Sequence, residues 1–318
     1  MCNMKILYSI QATGIGHINR ALEVLPYLLK YGKVDLFLSG SNSQMDLPYP
    51  VTYRSRGVSS ALWEINPFRT IREARQLPVE KYDLVINDFE CITTIACYYK
   101  KVKSLNFGHQ ASFQSPLVPR PAHRNIIGEL LFKYYGTATR YMGLHFRSYD
   151  TFIYTPIIKK KLLWAPKISE DHVTVYLPHY RTDRVVRQLK KLKARFILFS
   201  PEVEQPFSYD NVTLYPIDPG EFALSISRAY GVITSAGFDI PAETLWLGKK
   251  LLCLPIRDQY TQLCNAEALK DFGVPILGDP EELDSHFAGW REGGISHAPL
   301  TLTWSTGQLI DRAVFSMQ

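Results

Sequence analysis

The sequence predicts an α/β protein made of two doubly wound, parallel-sheet domains in tandem. Three observations carry this. Short apolar runs, the length of strands buried on both faces, alternate with segments whose apolar residues fall at helical spacing. The 318 residues, 46% of them hydrophobic and 21% charged, are enough for two soluble domains. A chain of this length buries about three quarters of its unfolded surface, so it needs no covalent or metal staple. The alternation breaks once, at residues 156–169, where two prolines and Lys159, Lys160 and Lys161 read as an interdomain linker.

The first strand is expected at residues 5–10, an apolar run. It leads into Gly14, Ile15, Gly16 and His17, and then into a helix carrying Ala21, Leu22, Leu25, Leu28 and Leu29. A glycine turn between the first strand and helix of such a sheet faces the ligand crevice. As a dinucleotide fingerprint the turn is incomplete, because Asn19 stands where the third glycine belongs. Strands follow at 34–38, 51–54, 83–88 and 102–107, with a loop at 56–64 and a helix at 91–100. Pro67 opens a helix over 68–77, where its missing N–H is harmless. Residues 108–116 then lie at a strand's C-terminal end, the ligand edge of an open sheet. His109 and Gln110 there are candidates for acceptor contact or for satisfying loop backbone. Residues 126–146 carry an aromatic and aliphatic stripe with Lys133, Arg140 and Arg147 interspersed. The stripe reads as core, the other reading being a surface that rests on a membrane. A strand at 150–155 closes the first domain, residues 1–156.

The second domain, residues 157–305, opens with a strand at 173–177, the loop Pro178, His179, Tyr180 and Arg181, and a basic helix at 183–192. Strands are expected at 195–200 and 212–217, a helix at 263–272, and a closing helix at 306–315 within a segment 306–318 that crosses back to the first domain. The most informative stretch is 234–265. It reads as a strand end, a turn of Ser235, Ala236 and Gly237, a helix, a buried strand at 251–255, a polar loop and another helix. The small turn residues let backbone approach a ligand, and the helix after them offers unpaired N–H groups and the positive end of its dipole, a site for a phosphate or diphosphate. Glu243 lies about two turns along that helix, at roughly 1.5 Å per residue, and its carboxylate can accept from two vicinal ribose hydroxyls. Asp258 and Gln259 can accept from and donate to sugar hydroxyls. Phosphate, ribose and sugar groups in that order describe a nucleotide sugar.

This stretch resembles the donor-binding signature of GT-B glycosyltransferases, shared by plant secondary-product and glucuronosyl transferases and by the bacterial N-acetylglucosaminyltransferase of peptidoglycan synthesis. The matching positions are the Ser235–Gly237 turn, Glu243, Gly248, Pro255, Asp258 with Gln259, and Asn265 with Ala266. Where the plant branch has a histidine at the turn this chain has Ser235, as in the bacterial branch. The loop Gly14, Gly16 and His17 is similar to the Gly-x-Gly-His loop of the N-terminal GT-B domain. The resemblance implies two Rossmann-like domains facing a cleft, acceptor binding in the first and nucleotide-sugar binding in the second. It gives Gly14 and Gly16 to the donor phosphates, the backbone at Ile217 to the nucleobase, and to His17 the role of general base. A neutral imidazole can take a proton near pH 7 and works best with a carboxylate partner. Asp88 and Glu90 are the candidates for that partner; ligand contact and helix capping are the other readings of His17. Relatives carry a Gly-Gly-Ser-type phosphate loop where this chain has Pro178, His179 and Tyr180, which puts that contact in question.

Composition removes several other classes. The five cysteines have no zinc spacing, and all but Cys2 sit in apolar segments, as buried thiols of a reducing compartment do. Lys5 begins a short strand rather than a secretory leader, and no window approaches ~18 uninterrupted apolar residues, so a cytoplasmic protein is expected, with peripheral contact at the inner membrane face open. The net charge of +6 lacks the basic clustering of a nucleic-acid binder. No Asp-x-Asp motif stands where it could serve a metal, and no cofactor is expected. The reading is an inverting, metal-independent transfer of a hexose from a UDP-type nucleotide sugar to a hydroxyl acceptor, with a cell-envelope glycan or lipid-linked acceptor as its setting. The alternatives are a nucleotide-sugar 2-epimerase and a non-catalytic nucleotide-sugar-binding protein.

Overall fold

The structure, a computed structural model, describes residues 4–57, 66–165, 168–294 and 299–318. Most of the loop expected at 56–64, and Pro166 and Lys167 of the expected linker, lie outside the described residues. The chain forms two compact units. Unit 1 comprises Met1–Val118, Asn125–Ile157 and Leu302–Gln318; unit 2 comprises Pro119–Arg124 and Ile158–Thr301.

Unit 1 is built on seven strands: β1 (Met4–Gln11), β2 (Gly32–Ser39), β3 (Val51–Ser55), β4 (Leu84–Asp88), β5 (Leu105–Gly108), β6 (Arg140–Leu144) and β7 (Ile153–Tyr154). They lie in the order β3-β2-β1-β4-β5-β6-β7, and every pairing is parallel. A strand covered on both faces needs apolar residues throughout, and Ile6, Leu7, Tyr8 and Ile10 of β1 are all fully buried. Ile6, Leu7 and Ile10 each contribute about 1.5–3 kcal/mol relative to an exposed position. The helices α1 (Ile15–Leu28), α2 (Pro67–Gln76), α3 (Cys91–Lys100) and α4 (Ile126–Tyr134) connect the strands. α1 buries Ile18, Ala21, Val24, Leu25 and Leu28 on one face. Pro67 sits in the first turn of α2 behind the Asn66 cap, the place where a proline costs no hydrogen bond.

Strand order reverses between β1 and β4. From β1 the chain winds toward β2 and β3, and from β4 toward β5, β6 and β7. The connections leave in opposite directions, so the C-terminal ends of β1 and β4 flank an open crevice. Two sequence expectations change here. The strand at 150–155 shrinks to Ile153 and Tyr154, because the Asp150 carboxylate accepts from the Thr151 N–H (2.7 Å) and the Ser115 hydroxyl (2.7 Å) and holds a turn out of the sheet. The stripe over 126–146 is only half core. Phe132, Met142, Leu144 and Phe146 are buried, whereas Ile126, Ile127, Leu130 and Tyr134 on α4 are exposed.

Unit 2 carries β8 (His172–Tyr176), β9 (Arg195–Phe199), β10 (Phe207–Tyr209), β11 (Val212–Tyr215), β12 (Gly231–Thr234) and β13 (Lys250–Cys253) in the order β10-β11-β9-β8-β12-β13. All pairs are parallel except the hairpin of β10 and β11, which turns at Asp210 in a left-handed conformation (φ 60°). The helices are α5 (Lys160–Leu163), α6 (Thr182–Leu189), α7 (Pro219–Arg228), α8 (Asp239–Trp246), α9 (Tyr260–Lys270) and α10 (Leu283–Glu292). α7 was not expected, although its start is well signalled. Asp218 accepts from the N–H groups of Gly220 and Glu221, both at 2.8 Å, and Pro219 takes the first helical position. At the end of α10 the Lys250 ammonium donates to the carbonyls of Trp290 (2.9 Å), Arg291 (2.6 Å) and Gly293, satisfying the exposed carbonyl end of the helix. In unit 2 the strand order reverses between β8 and β12.

The last helix, α11 (Thr306–Ser316), belongs to unit 1. Ser305 and Gln308 close a capping box at its start, and its buried residues Leu309, Ile310, Ala313 and Val314 complete the core beside α1. The Tyr31 hydroxyl, just past the end of α1, donates to Asp311 of α11 at 2.6 Å.

Candidate active site

In unit 1 the site stands at the reversal point. His17 is in the first turn of α1 and Asp88 is the last residue of β4. Their side chains meet, with Nδ1 of His17 2.8 Å from Oδ1 of Asp88. A carboxylate oxygen can only accept, so Nδ1 carries the proton and Nε2 keeps its lone pair. The side-chain amide of Gln110 lies 3.3 Å from that Nε2 and can donate to it. His17 retains 13% side-chain exposure, whereas Asp88 is buried. The second partner of Asp88 is Arg20, one turn along α1 and itself buried. Its Nε donates to Oδ2 at 2.9 Å and its Nη2 to Oδ1 at 2.8 Å. Burial pushes the Asp88 carboxyl up, but the charges and hydrogen bonds of Arg20 and His17 outweigh it and hold the group below the usual carboxylate range.

The local backbone explains why the carboxylate can sit there. Phe89 adopts a left-handed conformation (φ 54°), rare for a bulky residue, and turns the chain between Asp88 and the cap of α3. Gly108 (φ 148°) passes so close that a β-carbon would lie 2.6 Å from Oδ1 of Asp88, and only glycine fits. Glu90, the other candidate partner of His17, is committed elsewhere. It accepts from the N–H groups of Ile92 (2.9 Å) and Thr93 (2.6 Å) and from the Ser39 hydroxyl (2.8 Å), and burial raises its pKa. Its role is the cap of α3. His109 is buried too, its Nδ1 donating to the Leu144 carbonyl at 3.0 Å beside the ring of Phe113, which places it behind the site. Gln110 is the residue of that pair that faces His17. Gly14 is the N-cap of α1 with open space where a β-carbon would point, and Gly16 lies in the first turn, so the N–H end of α1 is unobstructed.

In unit 2 the predicted residues gather at the same kind of edge. The turn of Ser235, Ala236 and Gly237 joins β12 to α8, and Asn265 of α9 fixes it, donating Nδ2 to the Ala236 carbonyl at 3.1 Å from a fully buried position. Gly248 (φ 67°) ends α8 in the left-handed conformation that stops a helix. Across the reversal point lies the loop after β8. His179 in that loop is 3.1 Å from Gln259 through Nε2 of each. Gln259 is oriented in turn by Gln262, whose amide donates to it at 2.9 Å while accepting from the Ile256 N–H at 3.1 Å. With the Gln259 amide donating, His179 accepts at Nε2 and keeps its proton on Nδ1. Burial lowers the His179 pKa, so the ring is neutral near pH 7 and offers a phosphate a hydrogen bond without charge. Arg181 pairs with Asp183 at 3.1 Å. Asp258 and Gln259 are exposed, and Ile217 is 41% exposed between β11 and α7.

Three residues at these edges escaped the sequence reading. Arg20 interrupts the apolar face of α1 three residues after His17, and a charge in a buried stripe signals a buried partner. Lys159 pairs with the buried Glu243 at 3.1 and 3.3 Å, a contact made across 84 residues that no local pattern shows. Asp239 stands in the first turn of α8, where an acidic side chain meets the positive end of the helix. It was legible in the sequence, four residues ahead of Glu243.

The profile of the family described as Glycosyl transferase family 1 matches residues 120–289. Among solved structures the chain is similar to spinosyn forosaminyltransferase SpnP, at TM-score 0.64 and 14% identity over 99% of each chain. It is similar to Arabidopsis thaliana UGT89C1 complexed with quercetin, at TM-score 0.64 and 14% identity over 99% of each chain. The glycosyltransferase SnogD from Streptomyces nogalater follows at TM-score 0.57 and 12% identity, again over 99% of each chain. At these identities the likeness is one of fold. No curated protein sequence matches.

Proposed function

We propose, from the premise that the chain belongs to glycosyl transferase family 1, that it transfers a hexose from a nucleotide diphosphate sugar, UDP-linked, to a hydroxyl acceptor with inversion at the anomeric carbon. The observation that carries this reading is the His17–Asp88 pair at the reversal point of the first sheet, with Nε2 unprotonated. In the proposed step Nε2 takes the acceptor's hydroxyl proton and the oxygen attacks the anomeric carbon. The bond from that carbon to the diphosphate breaks, and its electron pair leaves with the diphosphate. Asp88 supports the imidazolium that forms. The leaving charge is met by the N–H groups of the Ser235–Gly237 turn and the start of α8, which act as fixed donors without a metal. Glu243 takes the ribose hydroxyls, Asp258 and Gln259 the sugar, and the backbone at Ile217 the base. His179 donates to phosphate in place of a glycine-rich loop.

Donor binding is tested by thermal shift with UDP, TDP, GDP, ADP and NAD on the wild type and on Glu243→Ala. A ligand at 100 times its dissociation constant stabilises by about 2.7 kcal/mol. Selective stabilisation by UDP, lost in the variant, is expected; stabilisation by NAD alone would overturn the reading.

The exposed face of α4 supports peripheral attachment to an anionic membrane as part of the same reading. Ile126, Ile127, Leu130 and Tyr134 are 51–75% exposed. Of these, Tyr134 lines a hollow of about 870 Å³ whose lining also includes Tyr98, Tyr99, Lys101 and Lys103. Apolar and aromatic groups beside lysines suit a headgroup boundary. Among the described residues no helix is long and apolar enough to cross a membrane.

A further inference from the structure

A plain His–Asp pair gains from an ionised carboxylate that stabilises the imidazolium formed during proton transfer. Here that carboxylate is already claimed. Arg20 grips Asp88 through two N–H groups at 2.8 and 2.9 Å, and the shared Oδ1 also receives the Nδ1 proton of His17 at 2.8 Å. The same Nη2 of Arg20 lies 3.0 Å from Nδ1 of His17. With Nδ1 protonated, both of these nitrogens are donors, so this approach is a juxtaposition of positive ends imposed by their common acceptor. Before proton transfer the three side chains sum to zero charge; after it they sum to +1 in a buried setting, which costs free energy in a low dielectric.

The neighbouring Tyr8, Gln110, Glu90 and His109 do not relieve this. The Tyr8 hydroxyl, from β1, is fully buried with no hydrogen-bond partner among the described residues, and its burial keeps it neutral. Gln110, after β5, is uncharged. Glu90 is turned to the cap of α3, and His109 to the Leu144 carbonyl.

We infer that Arg20 is a positioning residue of the site: it fixes the Asp88 carboxylate, locks His17 in the Nδ1–H tautomer with Nε2 free, and sets a guanidinium charge against the imidazolium that proton transfer would form. The inference rests on reading His17 as the base.

The test is a histidine titration by long-range ¹H–¹⁵N NMR on the full chain, which needs no substrate. His17→Gln identifies the signal among the eight histidines. In the wild type at high pH the neutral ring shows the Nδ1–H tautomer; an Nε2–H tautomer overturns the inference without any variant of Arg20 having to fold. Arg20→Gln raises the titration midpoint by about one pH unit or more, a tenfold gain in proton affinity, while Arg20→Lys, keeping the charge, stays closer to wild type. An unchanged midpoint in folded Arg20→Gln overturns it. These readings are independent of turnover, so the loss of the base role through undiminished transfer by His17→Gln would be recognised separately.

Discussion

The Arg20–Asp88 pair makes a quantitative prediction about stability as well as chemistry. Both side chains are buried, Asp88 completely and Arg20 to within 6%, and three N–H donors converge on the carboxylate. Removing one member of such a pair strands the other charge, at a cost of about 3–5 kcal/mol. Against a total stability of about 5–15 kcal/mol that is a large fraction. Asp88→Ala and Arg20→Met should each lower the calorimetric melting temperature by on the order of 10 °C. Replacing both, Arg20→Met with Asp88→Leu, leaves no orphaned charge, and the double variant should be more stable than the two single losses added together, with a coupling of roughly 2–3 kcal/mol. Strict additivity would refute the claim that the two groups satisfy each other. The pH dependence has a definite sign. Arg20 and His17 hold the folded carboxyl below its unfolded value, so the contribution of Asp88 is fully present above the unfolded value and is lost only as pH falls through the lower folded one. The gap between wild type and Asp88→Ala should therefore persist at neutral and mildly acidic pH and close in strong acid.

Other outcomes follow from the same geometry. His17→Gln should lower kcat by roughly 10²–10⁴-fold while leaving nucleotide affinity near wild type, since base catalysis acts in the transition state; equal kinetics would remove it from the mechanism. Asp239→Asn removes a carboxylate from the turn proposed to hold the diphosphate and should tighten UDP binding by roughly two- to tenfold, read by calorimetry; weaker binding would show that Asp239 has a constructive role there. Leu130→Asp on the exposed face of α4 should reduce co-sedimentation with phosphatidylserine vesicles with little change in melting temperature, and unchanged sedimentation would discard that surface.

The sequence made the two sheets legible because parallel strands buried on both faces must be largely apolar, as Ile6, Leu7, Tyr8 and Ile10 and residues 251–255 are. It made the turn at Ser235–Gly237, Glu243 and His17 legible because each belongs to a short contiguous pattern. What stayed hidden depends on contacts between distant segments. Asp88 was the first candidate and Glu90 the second, and only the fold removes the second, by turning Glu90 into the cap of α3 and pointing Asp88 at His17. The split of the 126–146 stripe could not be read from composition, because which face of α4 meets the sheet is decided by the connection before it. β10 was missed because three exposed residues carry no apolar signal. α7 and Asp239 are different cases, because their signals are present in the sequence, in Asp218 with Pro219 and in an acid just after the turn.

Strand order reverses once in each unit, and in each the candidate chemistry collects there for the same topological reason, since the connecting segments diverge and leave backbone ends uncovered. The charges at the two points differ in purpose. In unit 1 the guanidinium of Arg20 answers a carboxylate that cannot be left alone in the interior, and the imidazole becomes the group whose state can change. In unit 2 the ammonium of Lys159 answers Glu243, Asp239 takes the positive end of α8, and His179 is neutral. An incoming nucleotide diphosphate therefore meets little uncompensated positive charge from these side chains. On the proposed reading its affinity comes from directed donors, the N–H groups of the turn and the Nδ1–H of His179, and from ribose hydroxyls competing with Lys159 for Glu243. A site of that kind selects by hydrogen-bond geometry rather than by net charge, which favours discrimination between nucleotides over general anion binding.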